Sequence, residues 1–182
     1  MTVKEVTLNK AYINTKIKIK LDFYGMHYWP NADKIPEVSF LKHPHRHKFY
    51  VTIEIPVEHL DRDIEFIALK NKVQKLVDNW DFNLRNSSCE QLAVCIAVAT
   101  NYYIQDKTDK EIYMFFPWVF SPWELKNEEI LQFPKNIDIY TLIVEVSEDN
   151  ENSAEIELFP TNETEIEFNY ENEQENDTLT TH

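Results

Sequence analysis

The chain has 182 residues and a mass of 21.8 kDa, with 43% apolar and 27% charged side chains, enough for one domain with a real core and a short extra arm. One glycine excludes every glycine-rich phosphate loop and dinucleotide fingerprint, and Cys89 and Cys95 alone supply neither a disulfide framework nor a cysteine zinc cage. The net charge of −14 is concentrated in residues 147–182, which hold twelve acids and no Lys or Arg, leaving twenty acids against eighteen bases in residues 1–146; a nucleic-acid footprint, which needs a basic patch, is excluded.

At the N-terminus, Met1-Thr2-Val3-Lys4-Glu5 lacks a charged-then-apolar leader pattern, so a cytoplasmic protein is expected. No stretch approaches the 18 uncharged apolar residues of a membrane helix, so no membrane role is expected. The first element is Ile17-Lys18-Ile19-Lys20-Leu21-Asp22-Phe23, whose strict alternation predicts a half-buried antiparallel strand. Gly25 is expected to break it just before His27. A second alternation, Phe49, Val51, Ile53, Ile55 and Val57, follows a loop with Pro30 and Pro36 and should pair with the first as a long hairpin.

The period then changes. Phe66, Leu69, Val73, Leu76, Val77 and Trp80 form a helical stripe over about 63–80. Ser87-Ser88-Cys89-Glu90 is a start signal for a second helix through Leu92, Ala93, Ile96, Ala97 and Tyr103. Strands are predicted at 112–116 and 137–146, separated by an aromatic, proline-rich insertion over 117–135 with a short helix at 124–131. Beyond Ser147, the alternations 155–158 and 165–168 flank Pro160-Thr161-Asn162 and suggest a hairpin with one acidic face. From about 171 there is too little to bury, and disorder is expected. The acidic extension reads as a solvated tail, with DNA mimicry as the sharper alternative.

Three histidines carry the clearest chemistry. Residues two apart on a strand share a face, so His45 and His47 can converge on one metal ion. In a hairpin, the end of the first strand lies beside the start of the second, and His27 can add a third imidazole. Three neutral nitrogens with an open fourth position describe a catalytic zinc site; loop histidines beside prolines are the alternative. His43 extends the run, so which pair ligates stays open.

Phe23-Tyr24-Gly25-Met26-His27, His45-Arg46-His47, residues 64–70 (IEFIALK), Ser88-Cys89-Glu90-Gln91-Leu92-Ala93 and Val144-Glu145-Val146 occur in order and at fitting spacing. Together they resemble the 6-pyruvoyltetrahydropterin synthase / 6-carboxytetrahydropterin synthase family over residues 12 to about 159. The resemblance implies an α+β tunnelling fold (T-fold): a β-β-α-α-β-β unit, an antiparallel sheet and two helices on one face. It is assigned here to residues 1–160, with residues 161–182 as the acidic extension.

The resemblance further implies Zn²⁺ on His27, His45 and His47, with Arg46 in place of the usual glycine and expected to face the other way. It implies a homo-oligomer, most simply a hexamer, that binds a pterin or purine nucleotide of the dihydroneopterin triphosphate class in a carbon–oxygen lyase reaction, as in routes to 7-deazaguanines. The pterin anchor falls on Glu145. That residue is unusual by itself, because Ile137, Ile139 and Ile143 share its face while Leu142, Val144 and Val146 fill the other. A carboxylate there needs a partner; a strand-edge Glu beside the acidic tail is the other reading. A second ligand contact falls on Glu90, which equally completes a helix capping box with Ser87.

The family's cysteine base falls on Leu41, and its Asp-His relay falls on Asp81 and Phe82. Cys89 and Cys95 read as small buried helix residues. His43, which would share a strand face with Leu41, and Asp81 are the candidate substitute bases. The binding apparatus is therefore better represented than the chemistry. A scaffold or nucleotide-binding protein that keeps the fold and metal site is the alternative function.

Overall fold

The computed structural model describes residues 13–80, 83–125 and 131–161. It is a mixed α+β architecture. Strands β1 (Thr15–His27) and β2 (His45–Val57) pair antiparallel over their full lengths, from Thr15 opposite Val57 to His27 opposite His45. The alternation explains the pairing: Ile19, Leu21, Phe23, Phe49, Val51, Ile53 and Ile55 are buried on one face, and Lys16, Lys18 and Lys20 stand exposed on the other.

Gly25 does not end β1, which continues to His27. A Cβ at this position would overlap Leu84 Cδ1 and lie 3.0 Å from Phe49 Cε2. The glycine is thus needed for close approach. It lets a short strand, β3 (Asn83–Arg85), lie parallel to the end of β1 in a stretch the sequence presents only as a loop. Gly25→Ala is expected to cost about 1–3 kcal/mol through overpacking, read as a lower urea midpoint; an unchanged midpoint would show that Leu84 moves freely.

Strands β4 (Leu142–Glu148) and β5 (Asn152–Leu158) complete a sheet of order β3-β1-β2-β4-β5. The strand predicted over 137–146 begins only at Leu142. Ahead of it, α2 holds the chain: the Asn101 and Gln105 amides donate to the Asp138 carbonyl at 3.0 and 2.8 Å, and Tyr140 N–H donates to Asn101 Oδ1. The first of the two late alternations belongs to β5, which pairs antiparallel with β4 because Asp149 and Asn150 turn the chain at φ 49° and 62°. Asn and Asp are the non-glycine residues that best tolerate this left-handed region. Residues 165–168, the tail from 171 and most of 124–131 lie outside the described residues.

Helices α1 (Phe66–Asp78) and α2 (Cys89–Ile104) pack against the sheet's apolar face. Leu69, Val73, Leu76 and Val77 give α1 its buried stripe, and α2 is buried almost all round from Leu92 to Tyr103. A third helix, α3 (Asp109–Phe115), replaces the strand predicted at 112–116. Thr108 and Glu111 close a capping box at its start. Ile112 and Phe116 are buried four apart while Tyr113, Met114 and Phe115 stay exposed, which is helical and not strand spacing.

The aromatic insertion covers α2. Phe116 lies 5.3 Å from Trp118, 5.1 Å from Phe133 and 6.1 Å from Tyr102 between ring centroids, and the Trp80 indole donates to the Val119 carbonyl at 3.1 Å. Among the described residues, no helix is long and apolar enough to cross a membrane.

Candidate metal centre

The β1–β2 register places His27, His45 and His47 on the core-facing side of the sheet, at the end of the apolar row that closes with Phe49. Ring centroids are 4.8 Å apart for His27 and His45, 5.1 Å for His27 and His47, and 4.9 Å for His45 and His47. One nitrogen from each ring lies within 4.8 Å of the other two. The three histidines are close enough to bind a metal ion.

Their other nitrogens are all engaged. His27 Nδ1 is 3.0 Å from the Ser87 carbonyl, His45 Nδ1 is 2.7 Å from the His43 carbonyl, and His47 Nδ1 is 2.5 Å from Asp149 Oδ2. A carbonyl or carboxylate oxygen only accepts, so each Nδ1 carries a proton and donates. In the neutral ring Nε2 is then an unprotonated acceptor. Nε2 of His27 and of His47 is buried with no hydrogen-bond partner. Each such orphan costs about 1–3 kcal/mol, and a divalent cation satisfies both at once. Fixing ligand histidines through their far nitrogen is the usual support for such a site.

Glu148 Oε1 lies 3.4 Å from His27 Nε2, outside hydrogen-bond geometry. Burial lowers the pKa of His27 from its ordinary 6.5, against the opposing pull of the Ser87 carbonyl and Glu148. The ring is therefore neutral at pH 7, and the Glu148 contact is not an ion pair. Asp149 is held below the usual carboxylate range, first by the Lys48 N–H it accepts and then by His47.

Beside the histidines opens a cavity of about 290 Å³, lined by His27, His45, Leu41, Cys89, Glu90 and Glu148 among others. Glu90 lies in the first turn of α2 and is exposed there. The capping box forms one residue later than expected, between Ser88 and Gln91, so Glu90 is not engaged as its closing partner. Cys89 also borders the cavity, and its thiol donates to Glu148 Oε1 at 3.6 Å. Burial, reinforced by Glu148, raises its pKa and keeps it protonated. Cys95 is fully buried in α2.

Other expectations fare differently. Arg46 faces away, its guanidinium 4.2 Å from the Tyr24 ring centroid. Leu41 and His43 do not share a strand face, because 36–42 is a 3₁₀ helix and His43 follows it. The His43 side chain is exposed and does not line the cavity, while its carbonyl orients His45. Asp81, with Phe82, lies outside the described residues.

Glu145 stands on the other face of β4, between Thr52 and Glu155 and opposite in parity to buried Val144 and Val146. The same strand sends Glu148 to the histidines, in register with Phe49. Sequence reading missed Glu148 and Asp149, although Glu148 continues the parity of Val144 and Val146.

A larger cavity of about 510 Å³ lies at the far end of the sheet, near Val57, Asp63 and Lys72. Among the described residues, the metal-ligating groups converge only at the histidines. Neither a family model nor a curated protein matches the chain.

Proposed function

We propose that the chain is a zinc protein similar to the 6-pyruvoyltetrahydropterin synthase / 6-carboxytetrahydropterin synthase family. In this reading it has a T-fold and binds a pterin- or purine-like ligand beside the metal. The carrying observation is the trio of imidazoles with every Nδ1 engaged and two buried, unpartnered Nε2 atoms, beside a cavity lined by His27, His45, Glu148 and Glu90. Three histidines with an open position suit zinc. Zinc bound there supplies a Lewis acid for oxygens of the ligand's side chain.

The amino-pyrimidinone edge of a pterin or guanine presents adjacent donors to a carboxylate, a charge-assisted pairing. Glu148 takes this role in place of Glu145, because it is the carboxylate of β4 that shares the cavity with the histidines. Glu148→Gln is expected to weaken pterin binding by about 1.5–3 kcal/mol, and Glu145→Gln by much less. A larger loss for Glu145→Gln than for Glu148→Gln in a calorimetric titration would return the anchor to Glu145.

Binding is favoured over turnover. Leu41 lines the cavity where the family's base falls, and general-base catalysis contributes roughly 10²–10⁴-fold. The test is zinc-loaded protein with dihydroneopterin triphosphate. Saturable binding with turnover far below that of an intact family enzyme is expected, with turnover rising only in the Leu41→Cys, Phe82→His double variant. Ordinary turnover by the wild type would overturn the reading of lost catalysis, and no binding at all would leave the scaffold reading.

The proposed assembly is a homo-oligomer, a hexamer by resemblance, in which sheet edges such as β5 pair with neighbours and are hidden. Light scattering at micromolar concentration is expected to give a multiple of 21.8 kDa. A monomer would contradict it.

A further inference from the structure

Two of the three histidines are oriented by neutral main-chain carbonyls, and only His47 is oriented by a charged group. That group is unusually well fixed. Asp149 accepts from the Lys48 N–H through Oδ1 at 2.9 Å, donates its own N–H to the Lys48 carbonyl at 2.9 Å, and accepts from His47 Nδ1 through Oδ2. Its backbone is left-handed at φ 49°, in the turn between β4 and β5. The turn is thereby clamped to β2 beside the metal ligands, with both carboxylate oxygens aimed at donors.

We propose that Asp149 is a positioning residue that locks His47 in the Nδ1–H tautomer, so that Nε2 faces the metal and gains basicity from the carboxylate. The inference rests on the metal site proposed above. Its chemistry is that of a carboxylate–imidazole–metal relay, in which the outer carboxylate is commonly worth 10–100-fold in metal affinity.

Asp149→Asn discriminates this role from a merely structural one. Asparagine tolerates the same left-handed turn, and its single oxygen can serve Lys48 N–H or His47 Nδ1–H but not both. If Lys48 keeps it, the amide NH₂ faces His47 and drives the ring proton to Nε2, which then cannot ligate.

The experiment pairs two readouts. Nitrogen-15 shifts of labelled histidine, taken on metal-free protein, report the His47 tautomer; chelator competition reports zinc affinity. The wild type is expected to show His47 protonated at Nδ1, and Asp149→Asn to show Nε2–H and a 10–100-fold weaker zinc Kd, with cooperative urea unfolding retained in the metal-free protein. Wild-type His47 protonated at Nε2, or a variant that binds zinc as tightly as wild type, overturns the proposal while leaving the metal site standing. Failure of the wild type to bind zinc removes the metal site instead, and the tautomer measurement, which needs no metal and no variant, still decides what Asp149 does.

Discussion

His45→Ala and His47→Ala proteins are expected to bind no stoichiometric zinc and to show no thermal or urea stabilisation when zinc is added. Each substitution leaves two imidazoles where three converge, and the second-sphere bonds of the remaining rings cannot replace a ligand. A metal that binds only the folded state stabilises it by about 2.7 kcal/mol at a hundred times its Kd, so the wild-type increment should vanish. His43→Ala is the matched control. Its side chain is exposed, and its contribution to the site is the main-chain carbonyl that holds His45, which alanine retains. Equal loss in the His43 variant would mean that the ligating pair has been misassigned.

Phe49→Ala is expected to cost about 3–5 kcal/mol, the largest stability loss foreseen here. Phe49 is fully buried, stacks on Phe23 at 5.2 Å, and has the rings of His27 and His47 at 5.5 and 6.1 Å. Truncation would open a cavity directly beneath two of the three converging histidines. Urea unfolding with and without zinc separates the effects: a large loss in the metal-free protein, partly recovered by zinc, is expected. A metal-free loss below about 1 kcal/mol would show that the core collapses around the gap.

The sequence made the hairpin and its histidines legible because one period governs both. Alternation through Ile17–Phe23 and Phe49–Val57 fixes which residues face inward, and the same parity carries on to His27, His45 and His47. Elements too short to show a period were not legible. β3 is three residues long and is recognisable only from the space that Gly25 leaves for Leu84. At α3, Ile112, Met114 and the following Phe116 alternate like a strand, yet Ile112 and Phe116 are also four apart, and the Thr108–Glu111 cap decides for helix.

The site was half legible for a related reason. Counting charge from Ser147 onward assigned Glu148 and Asp149 to a solvated acidic tail, whereas the β4 register turns the first toward the cavity and the left-handed turn delivers the second to His47. Charge composition does not carry facing; register does. The capping box of α2 also fell one residue later than the sequence suggests, on Ser88 and Gln91, because the helix begins at Cys89.

X-ray absorption at the zinc edge, on protein purified without chelator and loaded to one equivalent, tests the central claim most directly. The account predicts a first shell with three imidazole nitrogens at about 2.0–2.1 Å and no sulfur, since His27, His45 and His47 converge without Cys89 among them. A shell containing sulfur at about 2.3 Å, or protein that takes up no zinc, would contradict it.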